Sequence, residues 1–146
     1  MVLVIPYTKK IDCIGGFLGR YPNLEGVRTM KTVQRYIDAI RETVDFWVGE
    51  NAADNDTLLD RADGGDLWFH VSGRPSCHVI ARLGLDREYT KKEIHKIAIQ
   101  GGVICKQYSK YRSERAVPIV YTRREQVTKT GVVGKVEVDT YYSITI

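Results

Sequence analysis

The sequence predicts an α+β fold: a single domain with a mixed, mainly antiparallel sheet and two or three packed helices. Short segments in which apolar and polar residues alternate recur along the chain, as is typical of strands. Several of them are joined by loops so short that the strands they connect are expected to be antiparallel neighbours. Segments with a helical spacing of apolar residues lie between them. A chain of 146 residues suits one domain with a sizeable core.

The chain is predicted to divide into a lead-in, residues 1–42, and the main part of the same domain, residues 43–146. In the lead-in, residues 2–7 (VLVIPY) are rich in β-forming residues and predict a short strand. Residues 8–26 are rich in glycine and predict a loop. Apolar residues spaced by three and four predict an amphipathic helix over residues 27–40.

Residues 43–82 are the stretch around which the rest is organised, because they hold both tryptophans, two of the three histidines and the densest acidic run. A helix capped by Asn51 or Asp54 is predicted to separate a first strand, TVDFWVG, from a pair of strands, LWFHV and CHVIARL. The tight loop SGRPS makes that pair antiparallel. Alternation along LWFHV places Trp68 and His70 on the same face of the sheet.

The second half of the chain contains the best helix signal, over residues 90–110. Thr90 and Glu93 have the spacing of a capping box, which predicts where the helix starts. Gly101 costs about 1 kcal/mol relative to alanine inside a helix, so its presence indicates close approach of the helix to the sheet. Further strands are predicted at 116–122, at 127–128 and, as a hairpin, over 135–146.

Charged residues are distributed unevenly around a net charge of +4. Residues 45–66 carry seven acidic and one basic side chain, whereas residues 106–135 carry eight basic and two acidic ones. Cations attract phosphates through counterion release, and interleaved tyrosines stack on bases, so the basic block predicts a nucleic-acid surface. A solvated basic face without a partner is the alternative. The candidate contacts are Lys106, Lys110, Tyr111, Arg112, Arg123, Arg124 and Lys129.

His70 and His78 stand on the two strands that flank the loop containing Arg74. The side chains of His70, Arg74 and His78 are predicted to bind RNA: Arg74 and a protonated histidine would contact phosphate, and the imidazole rings would stack on unpaired bases. The alternative is that both histidines are hydrogen-bonded structural residues that fix the loop. A small hydrolase or nuclease using His70, His78 and Asp66 is a further alternative, although no nucleophile-elbow sequence supports it. No catalytic residue is assigned.

The cysteines Cys13, Cys77 and Cys105 are odd in number and lack metal-ligand spacing, which predicts free thiols in a reducing compartment. The expected location is the cytoplasm, with the nucleus left open. No signal peptide or membrane-spanning segment is expected. A metal site combining Cys77, His78, Cys105 and His70 is not favoured, because adjacent residues in a strand point to opposite faces. No metal or cofactor is predicted.

The central motifs resemble the NFACT-R (DUF814) RNA-binding domain of the Rqc2, NEMF and RqcH proteins, in particular its stand-alone, CCDC25-like form without the coiled coil. The family pattern is a strand ending in glycine, an Asn-rich helix start, an Asp-(Leu/Ile)-Trp-Phe-His strand, a small-residue loop and a histidine-containing strand. The similarity covers roughly residues 43–140. Here the pattern is supplied by Gly49, Asn51, Asn55, Asp66, Trp68, Phe69, His70 and His78.

The resemblance implies non-catalytic binding of RNA, of the tRNA or rRNA class, in translation or ribosome-associated quality control. The ribosome is a further expected partner, and DNA is left open. A protein-interaction adaptor that docks on a ribosome or another complex is the alternative. Two departures are Glu50, where the family often has a basic residue, and Ser76-Cys77-His78 in place of Gly-Ser-His. Peptide tailing of stalled chains is not expected, because neither a fibronectin-binding-like domain nor a helix-hairpin-helix is found in the sequence.

Overall fold

The computed structural model describes residues 3–5, as backbone, and residues 30–146. Its two helices are α1 (Ala52–Arg61) and α2 (Lys91–Gln107). The strands, in chain order, are β1 (Leu3–Ile5), β2 (Lys31–Ile37), β3 (Glu42–Val48), β4 (Leu67–Val71), β5 (Val79–Arg82), β6 (Pro118–Arg123), β7 (Val127–Lys129), β8 (Val136–Val138) and β9 (Tyr142–Thr145). This content confirms the predicted α+β class. The predicted loop at 8–26, with Cys13, lies outside the described residues.

Six strands form the central sheet in the order β2-β3-β5-β4-β6-β9, and every neighbouring pair is antiparallel. The predicted antiparallel pairing of LWFHV with CHVIARL is confirmed, with Trp68 opposite Ile80. The predicted strands at 43–49 and 116–122 are also present, as β3 and β6. A second, three-stranded sheet has the order β1-β8-β7 and confirms the short N-terminal strand.

The helix predicted over residues 27–40 is wrong within the described residues, where β2 and a turn replace it. Val33 and Ile37 are four residues apart, a spacing that fits one face of a helix and, equally, one face of a strand. Burial along β2 has a period of two, and its β-branched residues pair with β3, from Lys31 opposite Val48 to Ile37 opposite Glu42. Pairing with the strongly apolar β3 therefore decides the structure.

The hairpin predicted over residues 135–146 is also wrong, although both of its strands exist. β8 pairs with β1 and β7 in the small sheet, whereas β9 crosses to the edge of the large sheet and pairs with β6. A change of chain direction separates β8 from β9, and there the Asp139 backbone N–H donates to the Gln126 carbonyl. Alternation identifies a strand but does not identify its partner.

Helix α2 packs on one face of the large sheet. Its predicted capping box is confirmed: the Thr90 side chain accepts from the Glu93 N–H, and the Glu93 carboxylate accepts from the Thr90 N–H at 2.8 Å. Gly101 lies directly over Phe69, so a Cβ at this position would overlap the Phe69 ring. The close helix–sheet approach that was predicted from this glycine is confirmed, and it buries Phe69 completely.

Helix α1 and the small sheet cover the opposite face of the large sheet. They enclose a second apolar cluster in which Trp68 and Ile80 face Leu58 from α1 and Val136 from β8. The molecule is therefore layered, with α2 on one side of the six-stranded sheet and α1 with the small sheet on the other. This arrangement places the acidic helix α1 and the helix α2 on opposite faces of the large sheet.

Candidate nucleic-acid interface

The family-motif residues around α1 build the fold and are buried. The Asn51 side chain caps α1 by accepting from the Asp54 N–H at 2.8 Å. Asn55 Oδ1 accepts from the His78 N–H at 3.2 Å and so ties α1 to β5. Gly49 has no room for a side chain, because a Cβ there would overlap Asn55 Oδ1. These contacts join the end of β3, the helix and the return strand.

Asp66 is a second buried anchor. Its carboxylate accepts from the Leu83 N–H at 2.8 Å and the Asp63 N–H at 2.9 Å, and Arg82 Nε lies 2.8 Å away. Burial raises the pKa of Asp66 above its ordinary value, while these contacts oppose the rise. The carboxylate thus holds the turn before β4 and is not directed toward either predicted histidine.

His70 and His78 lie inside the second apolar cluster, and both are 0% exposed. The Trp68 indole N–H donates to His78 Nδ1 at 3.1 Å, and His70 Nδ1 lies 2.6 Å from the Val71 carbonyl, to which it donates. The two imidazole rings are 5.0 Å apart, edge to face. The prediction that these histidines contact RNA is corrected: buried rings fill the interior, as in the structural alternative.

Neither histidine carries a charge at neutral pH. Burial lowers the pKa of His70 to about 4, and burial together with the neighbouring His70 lowers the pKa of His78 well below its usual value. Uncharged, enclosed imidazoles do not attract phosphate. The hydrolase constellation is not assembled either, because both histidines are fully buried and the Asp66 carboxylate is occupied by the Leu83 N–H, the Asp63 N–H and Arg82.

Arg74 stabilises the loop that follows α2. Its guanidinium donates to both carboxylate oxygens of Glu114, at 2.9 and 3.0 Å, and lies 3.7 Å from the centre of the Tyr111 ring. The hydroxyl of Tyr111 donates to the Pro75 carbonyl at 3.1 Å. The bidentate pair raises the pKa of Arg74 and lowers that of Glu114. Arg74 and Tyr111 therefore fix the positions of Lys110 and Arg112 beside them.

Several cations of the predicted basic block are held by partners within the domain. Lys106 Nζ donates to the Ile146 backbone oxygen at 3.0 Å, and Arg123 donates to the Gly65 carbonyl at 2.6 Å. Lys129 Nζ lies 2.6 Å from Asp60 Oδ1. These three side chains remain partly exposed, but Lys129 is paired with a carboxylate and has its charge compensated.

Arg124 is the most strongly engaged of these cations. Its guanidinium donates to the Leu59 carbonyl at 2.8 Å and the Val127 carbonyl at 2.6 Å, and burial lowers its pKa. Arg124 therefore connects α1 to the small sheet. The same side of the molecule carries the acidic residues Asp54, Asp56, Asp60, Asp63, Glu125, Glu137 and Asp139, so the prediction that Arg124 and Lys129 contact a nucleic acid does not fit their surroundings.

Lys110, Arg112 and Arg115 are exposed in the loop after α2, and none forms an ion pair with another of the residues that the structure describes. Two further lysines, Lys92 and Lys96, are exposed one turn apart in the first half of α2, the helix that precedes this loop. We define the cationic face as Lys92 and Lys96 on α2 together with Lys110, Arg112 and Arg115 in the loop that follows it.

Sequence reasoning missed Lys92 and Lys96 as candidate contacts. They lie in the first turns of α2, ahead of the residues counted as the basic block. The available signal was the run of lysines that follows the capping box at Thr90, with Glu93 as the acidic residue among them. Glu93 is occupied by the cap and by Arg87, whose guanidinium lies 2.9 Å from its carboxylate.

No helix among the described residues is long and apolar enough to cross a membrane. Within the same residues, no three histidine, cysteine or acidic side chains are grouped so that they could hold a metal ion. Cys77 and Cys105 are free and buried, and each thiol lies near the other residue's backbone carbonyl. The neighbouring Cys77 thiol, together with burial, raises the pKa of Cys105.

The fold is shared with a solved structure, that of the C-terminal part of the fibronectin/fibrinogen-binding protein from Streptococcus suis. The TM-score is 0.63 at 22% identity, and the match covers 90% of this chain and 51% of that one. At this identity the likeness shows the fold alone, and the chain spans about half the length of that structure. No curated protein matches the sequence at a significant level.

A family comparison agrees with the motif resemblance. The family of the NFACT protein RNA binding domain matches residues 35–139. The matched range begins inside β2 and ends after β8, so it contains the motif strands, both helices and the loop that carries Lys110 and Arg112. Because this range is more than two thirds of the chain, the protein belongs to the NFACT RNA-binding domain family.

Proposed function

We propose that this protein binds RNA through the cationic face, without catalysis. The observation that supports this most directly is the separation of charge across the sheet. The cationic face lies on the α2 side, and its five cations form no ion pair with the other described residues. The α1 side carries the acidic cluster. A polyanion is attracted to one side and repelled from the other.

The mechanism is sequence-independent attraction to phosphates. Each lysine or arginine that neutralises a phosphate releases counterions, and the side chains of the cationic face read no base edges. Arg74 and Tyr111 hold the loop in place, so Lys110 and Arg112 are presented without a large loss of loop entropy on binding. The binding is therefore expected to be tolerant of sequence and sensitive to salt.

The natural RNA is proposed to be tRNA or ribosomal RNA, with a role in translation or ribosome-associated quality control in the cytoplasm. This part of the proposal is supported by membership of the family alone. Crosslinking in cells followed by sequencing of the bound RNA tests it. Enrichment of tRNA or rRNA fragments that is lost with Lys110→Glu and Arg112→Glu supports the proposal, whereas enrichment of neither class overturns it.

The binding surface is tested by a charge-reversal pair with a matched control. Lys110→Glu with Arg112→Glu alters two members of the cationic face. Arg61→Glu with Lys135→Glu makes the same change in net charge on the α1 side. Each phosphate contact makes the association constant fall with close to the first power of the salt concentration. Loss of two contacts is therefore expected to lower the affinity at 0.1 M salt by about 50-fold.

The control variant is expected to bind duplex RNA within about threefold of the wild type, because a change in net charge alone acts weakly across a Debye length of about 10 Å. Equal losses in the two variants would show that only net charge matters and would refute the assignment to this face. Ribosome association that survives Lys110→Glu with Arg112→Glu would instead favour the adaptor function.

A further inference from the structure

A cleft of about 410 Å³ opens where the first turns of α2 pass over β6 and the edge strand β9. Tyr121 and Tyr142, on neighbouring strands, form one wall. Lys91, His95 and Arg123 line it as well. Its volume lies within the roughly 300–1,000 Å³ that is typical of small-ligand sites.

The aromatic wall of the cleft is part of a stack that starts in the core. Phe69 lies beneath Gly101 and is fully buried. Its ring centre is 5.9 Å from that of Tyr121, which in turn is 5.5 Å from that of Tyr142, with interplanar angles of 25° and 29°. The buried end of the stack is held by α2, so the orientation of the outermost ring is set by the fold.

Tyr142 presents its ring to solvent at the open end of this stack. It is 68% exposed, whereas Tyr121 is 8% exposed. An exposed ring held by an underlying aromatic stack on a sheet surface is the arrangement on which unpaired bases stack in several RNA-binding modules. The Tyr142 hydroxyl forms no hydrogen bond with the other residues that the structure describes.

The charge around the cleft suits a phosphate. Arg123 is positioned at the mouth by its hydrogen bond to the Gly65 carbonyl, which is a neutral partner and leaves the positive charge uncompensated. Lys91 is exposed and has no ion pair among the described residues. The nearby carboxylate of Glu93 is occupied by the capping box and Arg87.

A second cleft, of about 360 Å³, continues from the first and shares Tyr89 and Arg123 with it. It is lined further by Leu83, Arg87 and Glu88. Since Arg123 belongs to both clefts, a phosphate beside it has a base-sized space on either side. This continuity fits a short single strand better than an isolated small molecule.

We infer that this pair of clefts binds an unpaired segment of RNA, with one base stacked on Tyr142 and its phosphate against Arg123 and Lys91. The inference rests on the proposed function and adds to it a site for single-stranded nucleotides beside the cationic face. Stacking on a ring is tolerant of sequence, because every base has a flat face. The site therefore favours RNA with a single-stranded end or loop over a blunt duplex.

Substitutions at Tyr142 test the site, with Tyr36 as the matched control. Tyr36 is 62% exposed on β2, at the opposite edge of the same sheet. Affinity is measured by fluorescence anisotropy for a duplex RNA with a short single-stranded overhang and for the same duplex with blunt ends. Loss of one base stack corresponds to a decrease in affinity of about 5- to 150-fold.

Tyr142→Ala is expected to weaken binding of the overhang RNA by that factor and to leave binding of the blunt duplex within about twofold. Tyr142→Phe keeps the ring and is expected to bind like the wild type, as is Tyr36→Ala. With 2-aminopurine in the overhang, binding is expected to change its fluorescence for the wild type and Tyr142→Phe but not for Tyr142→Ala.

Three results would overturn the inference. One is an overhang affinity for Tyr142→Ala equal to that of Tyr36→Ala. Another is an equal loss on overhang and blunt RNA, which would place Tyr142 on the duplex surface. The third is that an acidic peptide binds the cleft and requires Tyr142 for binding, while the affinity for overhang RNA does not change when Tyr142 is replaced. Failure of the proposed function is distinct, because it is read from Lys110→Glu with Arg112→Glu on the blunt duplex.

Discussion

The buried imidazole of His70 predicts a loss of stability in mild acid. Its pKa is about 4 in the folded protein against 6.5 when exposed. Between these values the unfolded chain binds a proton that the folded chain does not, so the free energy of unfolding decreases as pH falls below 6.5 and the loss is complete near pH 4. At neutral pH the free energy of unfolding is not yet reduced by protonation of His70. The difference of about 2.5 units corresponds to about 3 kcal/mol.

At pH 5 the expected loss from His70 alone is about 2 kcal/mol relative to pH 7.5. His78 adds to it in the same direction, because its pKa is also lowered by burial. The range from pH 7.5 to 5 lies above the ordinary pKa values of carboxylates, so most acidic residues contribute little there. The expected loss is a substantial fraction of a typical domain stability of about 5–15 kcal/mol.

The assay is urea denaturation followed by tryptophan fluorescence at a series of pH values, for the wild type and for His70→Gln. Glutamine keeps an amide donor for the Val71 carbonyl but does not titrate. His70→Gln is expected to be less stable than the wild type at pH 7.5. Below pH 6 its free energy of unfolding should fall with decreasing pH less steeply than that of the wild type, and the two slopes should differ by up to about 1.4 kcal/mol per pH unit. Equal slopes for the two proteins would refute the assignment of a buried, neutral His70.

Two further predictions concern packing and charge. Gly101→Ala is expected to lower the free energy of unfolding by about 1–2 kcal/mol, since overlap with the buried Phe69 ring outweighs the gain in helix propensity. Gly102→Ala would meet only the side chains of Ile144 and Ile146 and should lower the free energy of unfolding less; urea denaturation distinguishes the two variants. Lys129→Ala removes an exposed ion pair with Asp60 and should change the free energy of unfolding by less than about 1 kcal/mol. In anisotropy titrations it should change RNA affinity by less than twofold. A tenfold loss of affinity would show that Lys129 contacts the RNA.

Much of the fold could be predicted because local signals and tertiary packing agree in those segments. The capping box at Thr90 located the start of α2, and Gly101 correctly indicated close approach to the sheet. The helix predicted over 27–40 failed because the spacing of Val33 and Ile37 satisfies two periodicities, and only pairing with β3 decides between them.

The candidate site was harder to predict, because charge is visible in a sequence while its partners are not. Arg124 and Lys106 looked like free cations, yet backbone oxygens of distant residues hold them. His70 and His78 looked like surface ligands because nothing in a strand pattern shows that both faces of the central strand β4 are covered. Tyr142 was passed over because the sequence does not show that it stacks on Tyr121 across two strands.

The salt dependence of RNA binding tests the central claim most directly. If the five side chains of the cationic face each neutralise one phosphate, the logarithm of the association constant should fall with the logarithm of salt concentration with a slope of about −4 to −5 on duplex RNA. Lys110→Glu with Arg112→Glu should reduce this slope by about 2, and Arg61→Glu with Lys135→Glu should leave it unchanged. A slope near zero for the wild type, or the same slope for all three proteins, would contradict RNA binding through this face.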